Sequence, residues 1–253
     1  MVRPKKCSQS PFRACLGQGV QLKFASYNIH KAVGTDGRRD PERILAILHE
    51  TGADVVALQE ADRRLGRRPT SLPHQMVEAH HWQLVPVAVR PDSIGWHGNA
   101  MLVRHGIEIV DATPVDLPRI EPRGAIRADL RLGGRLVRVV GMHLDLSGLR
   151  RRHQIQSVLS HLAQCSNPAA PTVLMGDLNE WSAQRGCLSA FDRSWQVISP
   201  GFSFPSRRPV ARLDRIIASA HWACGASGVH HSALAARGSD HLPVWADLAL
   251  PEN

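Results

Sequence analysis

The apolar positions of the chain fall into short runs with two different periods. Leu22 to Tyr27 reads as a strand. Asp40-Pro41-Glu42-Arg43 starts a helix, with Asp40 as cap, Pro41 in the first turn and an acid near the positive helix end. Ile44, Ile47 and Leu48 then share one helical face, Gly52 stops the helix, and Asp54 to Leu58 is the next strand. Shorter runs follow at 83–87, 100–103, 108–112, 125–132 and 135–143, and Gly133-Gly134 is a two-residue hairpin signal. A second helix is predicted over 149–164 with Ile155, Val158, Leu159 and Leu162 on its buried stripe, then strands at 171–175, 213–218 and 243–248. Mixed strands, two long helices and several hairpins together predict two stacked sheets with helices outside. No Pro/Gly/Ser-rich linker divides the pattern, so residues 21–253 are expected to form one domain behind a basic, flexible extension at 1–20.

Polar fragments break the apolar runs at recurrent places. Tyr27-Asn28-Ile29-His30, Leu58-Gln59-Glu60, Gly176-Asp177-Leu178-Asn179 and Ser239-Asp240-His241 each abut a strand, so all four can meet at one sheet edge. Hard oxygen ligands (Glu60, Asp177, Asp240), amides (Asn28, Asn179) and an imidazole (His241) suit Mg²⁺ or Mn²⁺ and activation of water at phosphorus. Asp177 and Asn179 alternate around Leu178 and can face the same way, an Asx-turn being the competing reading. In an extended segment Asp240 points away from His241, toward metal.

With Gly98-Asn99-Ala100-Met101-Leu102, Met142-His143-Leu144-Asp145 and Leu213-Asp214-Arg215-Ile216, these fragments resemble the endonuclease/exonuclease/phosphatase superfamily, in its order and from about Leu22 to Leu248. The resemblance implies a four-layer α/β/β/α sandwich and phosphoester hydrolysis. It makes Glu60, Asn28 and Asp240 the metal residues, with a rim carboxylate salt-bridged to Arg63 or Arg64 as the plain alternative for Glu60, has Asp214 orient His241 as base or as positive phosphate clamp, and gives Asp177 and Asn179 the attacking water and the leaving side of the phosphate. It places Asn99 and His143 near the phosphate, with a strand-entry turn as the plain alternative for Asn99. His143 stands where abasic-site endonucleases have tyrosine, which turns the reading from abasic-site repair. Asn28-Ile29-His30-Lys31, Asn179-Glu180-Trp181 and Phe204-Pro205-Ser206-Arg207 resemble the compact bacterial YbhP-like subgroup, whereas an inositol-phosphatase signature is incomplete at 209–214.

Composition narrows the partners. A net charge of +9 draws the chain to polyanions: nucleic acid first, an anionic membrane surface second. The expected activity is a nuclease on DNA or RNA, the alternatives being a phospholipid or inositol-phosphate phosphoesterase or a polyanion-binding module without catalysis. Arginines cluster at 63–64, 67–68, 150–152 and 207–208, with solvated surface as the ordinary reading and a bound phosphate at the 150–152 helix start as the sharper one. Cys7, Cys15, Cys165, Cys187 and Cys224 contain no Cys-x-x-Cys pair, so reduced thiols are expected rather than zinc or disulfides. His80-His81 and His230-His231 are read as surface or packing residues, and Trp96 and Trp181 as packing residues or the roof of a cleft. No apolar run reaches membrane-span length, so a cytoplasmic monomer is the expectation.

Overall fold

The computed structural model describes residues 19–63, 69–118 and 123–251. The reading of Arg64, Arg67 and Arg68, and nearly all of the N-terminal extension with Cys7 and Cys15, lies outside them. Strands β1 (Gln21–Asn28) and β2 (Val55–Gln59) flank helix α1 (Pro41–Thr51) and pair in parallel. The helix begins where the Asp40 carboxylate accepts the Arg43 N–H at 3.0 Å, and ends at Gly52, whose φ of 62° is left-handed. Strands β3 (Trp82–Leu84), β4 (Ala100–Arg104), β11 (Ala223–Val229) and β12 (Val244–Ala249) complete the first sheet, in the order β11-β12-β1-β2-β4-β3.

The second sheet repeats the plan. Strands β7 (Arg135–His143) and β8 (Thr172–Asp177) are its parallel pair, joined through helix α3 (Gly148–Ala163). With β5 (Glu108–Val115), β6 (Gly124–Leu132), β9 (Trp195–Ile198) and β10 (Asp214–Ser219) the order is β5-β6-β7-β8-β10-β9. Gly133 and Gly134, at φ 57° and 78°, form the hairpin turn the sequence predicts.

Alternation along the strands divides the core into three layers. Val55 and Ala57 of β2 face the second sheet with Phe24, Val139, Val173 and Ile216. Val56 and Leu58 face outward onto Ile44, Ile47 and Leu48 of α1. Ile155, Val158 and Leu162 of α3 cover Val140, Leu174 and Ile217 on the far side. Two mixed sheets between helices form the expected four-layer sandwich. The sheets approach closely at Gly141, where an added Cβ would stand 3.0 Å from the Ala57 Cβ.

Several bounds differ from the sequence reading. β3 ends at Leu84 because Pro86 removes a ladder N–H, although Val85 still donates to Met101 O at 3.0 Å. β5 extends to Val115. Short helices α2 (His74–Ala79) and α4 (Ala235–Gly238), and strands β9 and β11, were not anticipated.

Candidate active site

Both parallel pairs deliver their carboxyl ends to one edge of the sandwich. Asn28 ends β1, Glu60 follows β2, His143 and Asp177 end β7 and β8, Asp214 begins β10, and His241 precedes β12. His143 and Asp214 are the cross-strand partners of Asp177 on either side, so three polar side chains become neighbours through register alone.

Asp177 stands at the centre. Its Oδ2 accepts the Asn28 amide at 3.0 Å and lies 3.3 Å from His143 Nε2 and 3.7 Å from His241 Nε2. Its Oδ1 accepts the Asn179 N–H at 3.0 Å, so the Asx-turn reading of Asn179 describes its backbone. The Asn179 side chain donates instead to Leu144 O at 2.9 Å. His241 Nδ1 is 2.9 Å from Asp214 Oδ2, which the Ser203 hydroxyl also reaches. Asp214 Oδ1 is buried without a hydrogen-bond partner. Ser239 Oγ donates to Asn28 O at 2.7 Å, tying the Ser-Asp-His segment to the end of β1.

Burial and charge oppose one another here. Burial alone would raise the Asp177 carboxyl, but the charges of His241 and His143 and the hydrogen bonds of His143 and Asn28 hold it well below the usual carboxylate range. Burial would likewise strip His241 of its proton, yet the Asp214 and Asp177 charges and the Asp214 hydrogen bond carry it up to about 10. Burial also pushes Asp214 upward, against the pull of His241. The pair therefore holds its shared proton firmly at neutral pH.

Glu60 lies beside this group rather than within it. Its carboxylate pairs with the Lys31 ammonium, and its backbone is left-handed at φ 54°. The compact set whose ligand atoms lie within 4.8 Å of one another, among the described residues, is Asp177, Asp214 and His241. Asp240 is half-buried, with Oδ1 3.2 Å from Ser239 Oγ. The Glu60 and Asp240 carboxylates and the Asn28 amide at this edge, hard oxygen donors with no thiol among them, fit a hard divalent cation.

Asn99 is completely buried, and its amide nitrogen is spent on Trp96 O and Gly124 O at 3.3 and 3.1 Å. Trp96 and Asn99 also exchange backbone hydrogen bonds at 2.8 and 2.9 Å, so Asn99 closes a turn at the entry to β4. Arg151, read as solvated or phosphate-binding, is buried and bonded to Glu180 at 3.2 Å. His80 and His230 pair with surface Glu42 and Glu50, each at 2.8 Å. Trp181 is 67% exposed rather than packed.

Three contributors escaped the sequence reading. Arg123, 5% exposed, contacts His143 Nε2; Ser203 supports Asp214; Lys31 meets Glu60. Only Lys31, within Asn28-Ile29-His30-Lys31, stood in a recognised fragment, and its contact with Glu60 was not read from it. A pocket of about 280 Å³ opens beside Glu60 and His143, lined also by Val89, Arg90, Trp96 and Arg123.

The profile of the Endonuclease/Exonuclease/phosphatase family matches residues 25–241. The chain is 30% identical to the uncharacterized protein YbhP of Escherichia coli (strain K12), over 92% of this chain and 98% of that protein. It is similar in structure to D. rerio TDP2 complexed with single-strand DNA product, at TM-score 0.68 and 15% identity over 90% of this chain and 98% of the other. A mannosyl-6-phosphatase from Bacteroides thetaiotaomicron gives 0.66 and 18%, covering 90% and 100%.

Proposed function

Because the chain belongs to the Endonuclease/Exonuclease/phosphatase family, whose members are typically divalent-metal-dependent phosphoester hydrolases, we propose that it is a Mg²⁺- or Mn²⁺-dependent nuclease that hydrolyses phosphodiesters of DNA or RNA. The observation that carries this reading is the Asp177 carboxylate, buried yet ionised, facing both His143 and the Asp214-supported His241.

Glu60, Asn28 and Asp240 would hold the metal. When bound, a divalent cation supplies charge neutralisation at the phosphate and a more acidic bound water. Asp177 accepts a hydrogen bond from the attacking water and orients it, and Asn28 fixes the Asp177 carboxylate. His241 remains protonated between Asp177 and Asp214, so it acts as a positive clamp on a non-bridging oxygen and can release a proton to the leaving oxygen. His143, backed by Arg123, meets a second phosphate oxygen.

Nucleic acid is favoured by the charge of +9 and by exposed Arg63, Arg90, Arg185, Arg207 and Arg208 on loops of the site edge. The TDP2 complex with single-strand DNA lends the same direction. A second reading, a phosphoester at an anionic bilayer, has one observation behind it. Val89, Leu146 and Val210 on loops and Leu149 in the first turn of α3 are exposed at this same edge beside Trp181 and Phe202, and the four aliphatic side chains cannot stack on bases.

Supercoiled plasmid, single-stranded DNA, RNA, sphingomyelin, phosphatidylglycerol vesicles and phosphoinositides, each with Mg²⁺ or Mn²⁺, separate the readings. Nicking of plasmid or cleavage of RNA with little sequence preference is expected. Release of lipid headgroups without any nicking at matched enzyme would overturn the nuclease assignment. Metal binding with no hydrolysis of any substrate would favour a non-catalytic polyanion-binding module.

A further inference from the structure

Lys31 belongs to no catalytic assignment made above, yet its ammonium contacts Glu60 Oε2 and its N–H donates to Glu60 O at 3.0 Å. The backbone that delivers it is costly. His30, Lys31 and Ala32 are three successive non-glycine residues in the left-handed region, at φ 45°, 58° and 58°, and Glu60 is a fourth at 54°. Each such residue brings its Cβ too close to the following carbonyl oxygen. One ion pair does not offset strain at four residues. Strain of this kind persists where a ligand clamp requires it.

The choice of cation is equally specific. Among 31 lysine and arginine residues the lysines are Lys5, Lys6, Lys23 and Lys31, and all others are arginine. Lys23 lies at the far end of β1, 3.6 Å from Asp247. Away from the site, buried ion pairs among the described residues use arginine: Arg138 and Arg127 on Asp129, and Arg151 on Glu180. A guanidinium fork grips a carboxylate at two points and stays, whereas an ammonium is a point charge on a flexible stem that can leave and re-aim.

We propose that Lys31 is a displaceable counter-ion of Glu60, which neutralises the carboxylate before the metal arrives, is expelled by the metal, and then donates to an oxygen of the bound phosphate. The inference rests on Glu60 as a metal ligand. It is independent of whether the phosphoester belongs to nucleic acid or lipid.

Mn²⁺ affinity measured by calorimetry without substrate, beside turnover of bis-p-nitrophenyl phosphate at saturating Mn²⁺, tests it. Lys31→Met should bind Mn²⁺ about tenfold more tightly, for loss of a competing charge, while turnover falls about 10²-fold, as on removing one donor to a reacting oxygen. These opposite signs are the signature. A purely structural Lys31 would weaken metal binding and turnover together, and that result, or an unchanged Mn²⁺ affinity, overturns the proposal. In the unmodified protein, amine acylation read by mass spectrometry should rise at Lys31 relative to Lys23 when Mn²⁺ is added; a constant ratio also overturns it, even if Lys31→Met fails to fold. Glu60→Gln separates the two levels. If it binds Mn²⁺ as tightly as the native chain, Glu60 is no ligand and both assignments fall. If it loses Mn²⁺ while Lys31→Met leaves affinity unchanged, only the counter-ion proposal falls.

Discussion

At the residue scale the site depends on one carboxylate being kept charged where burial opposes charge. Asp177 is 1% exposed, and its ionisation is supported by His241, His143 and Asn28 together. Asp214 performs the matching service for His241, holding Nδ1 at 2.9 Å and leaving Nε2 directed at the site. Asp214 and His241 should therefore behave as a single unit. Asp214→Asn and His241→Ala are each expected to lower turnover by roughly 10²–10⁴-fold, with the double variant little worse than the worse single one. Additive losses in a double-mutant cycle would show two independent groups. His143→Ala should also be strongly impaired, and near-native turnover would return His143 to a structural part.

At the scale of elements, the parallel units β1-α1-β2 and β7-α3-β8 place the residues, and their stability follows from local rules. Asp40→Ala removes the oxygen that accepts the Arg43 N–H and should cost about 1 kcal/mol in urea unfolding. Gly141→Val should cost roughly 1–3 kcal/mol by overpacking the space against Ala57, and Ala57→Gly should recover part of it. Non-additivity in that pair measures how rigidly the sheets are spaced. These central elements were legible in the sequence because strands buried on both faces read as continuous apolar runs and α1 carries its own start and stop residues. The missed strands β9 and β11 lie at sheet edges. β11 is Ala-Cys-Gly-Ala-Ser-Gly-Val, with little β-branched character, and forms because β12 offers it a ladder. The site was legible through its motifs, since Asn28, His143, Asp177, Asp214 and His241 all converge. Ser203, Arg123 and Lys31 were not, because each acts through a contact with a residue distant in sequence that no local pattern encodes.

At the scale of the whole molecule, electrostatics set how the protein responds to pH and salt. Asp129 is buried between Arg138, at 2.7 Å, and Arg127, also at 2.7 Å. Burial would raise its carboxyl, but the two guanidinium groups outweigh burial and hold it below its ordinary value. A folded-state value below the unfolded one means that its stabilising contribution is fully present above the unfolded pKa, about 3.9. That contribution is lost as pH falls through the folded value. Urea midpoints should therefore stay level for this group from neutral pH to about pH 5 and fall below about pH 4. Asp129→Asn, leaving the buried Arg138 without its carboxylate while Arg127 keeps Asp111, should cost about 3–5 kcal/mol at neutral pH and flatten the acid limb. A steep acid limb retained in that variant would assign it to other carboxylates. The charge of +9 also predicts that binding to polyanions weakens steeply with salt.

The most direct test of the phosphodiesterase assignment is turnover of bis-p-nitrophenyl phosphate by the native chain and by Glu60→Gln, with Mg²⁺ or Mn²⁺ and then with excess chelator. Metal-dependent hydrolysis by the native chain is expected, abolished by chelator and cut by at least about 10²-fold in a Glu60→Gln variant whose circular dichroism is unchanged. Hydrolysis that survives the chelator, or a folded Glu60→Gln variant as active as the native chain, would contradict it.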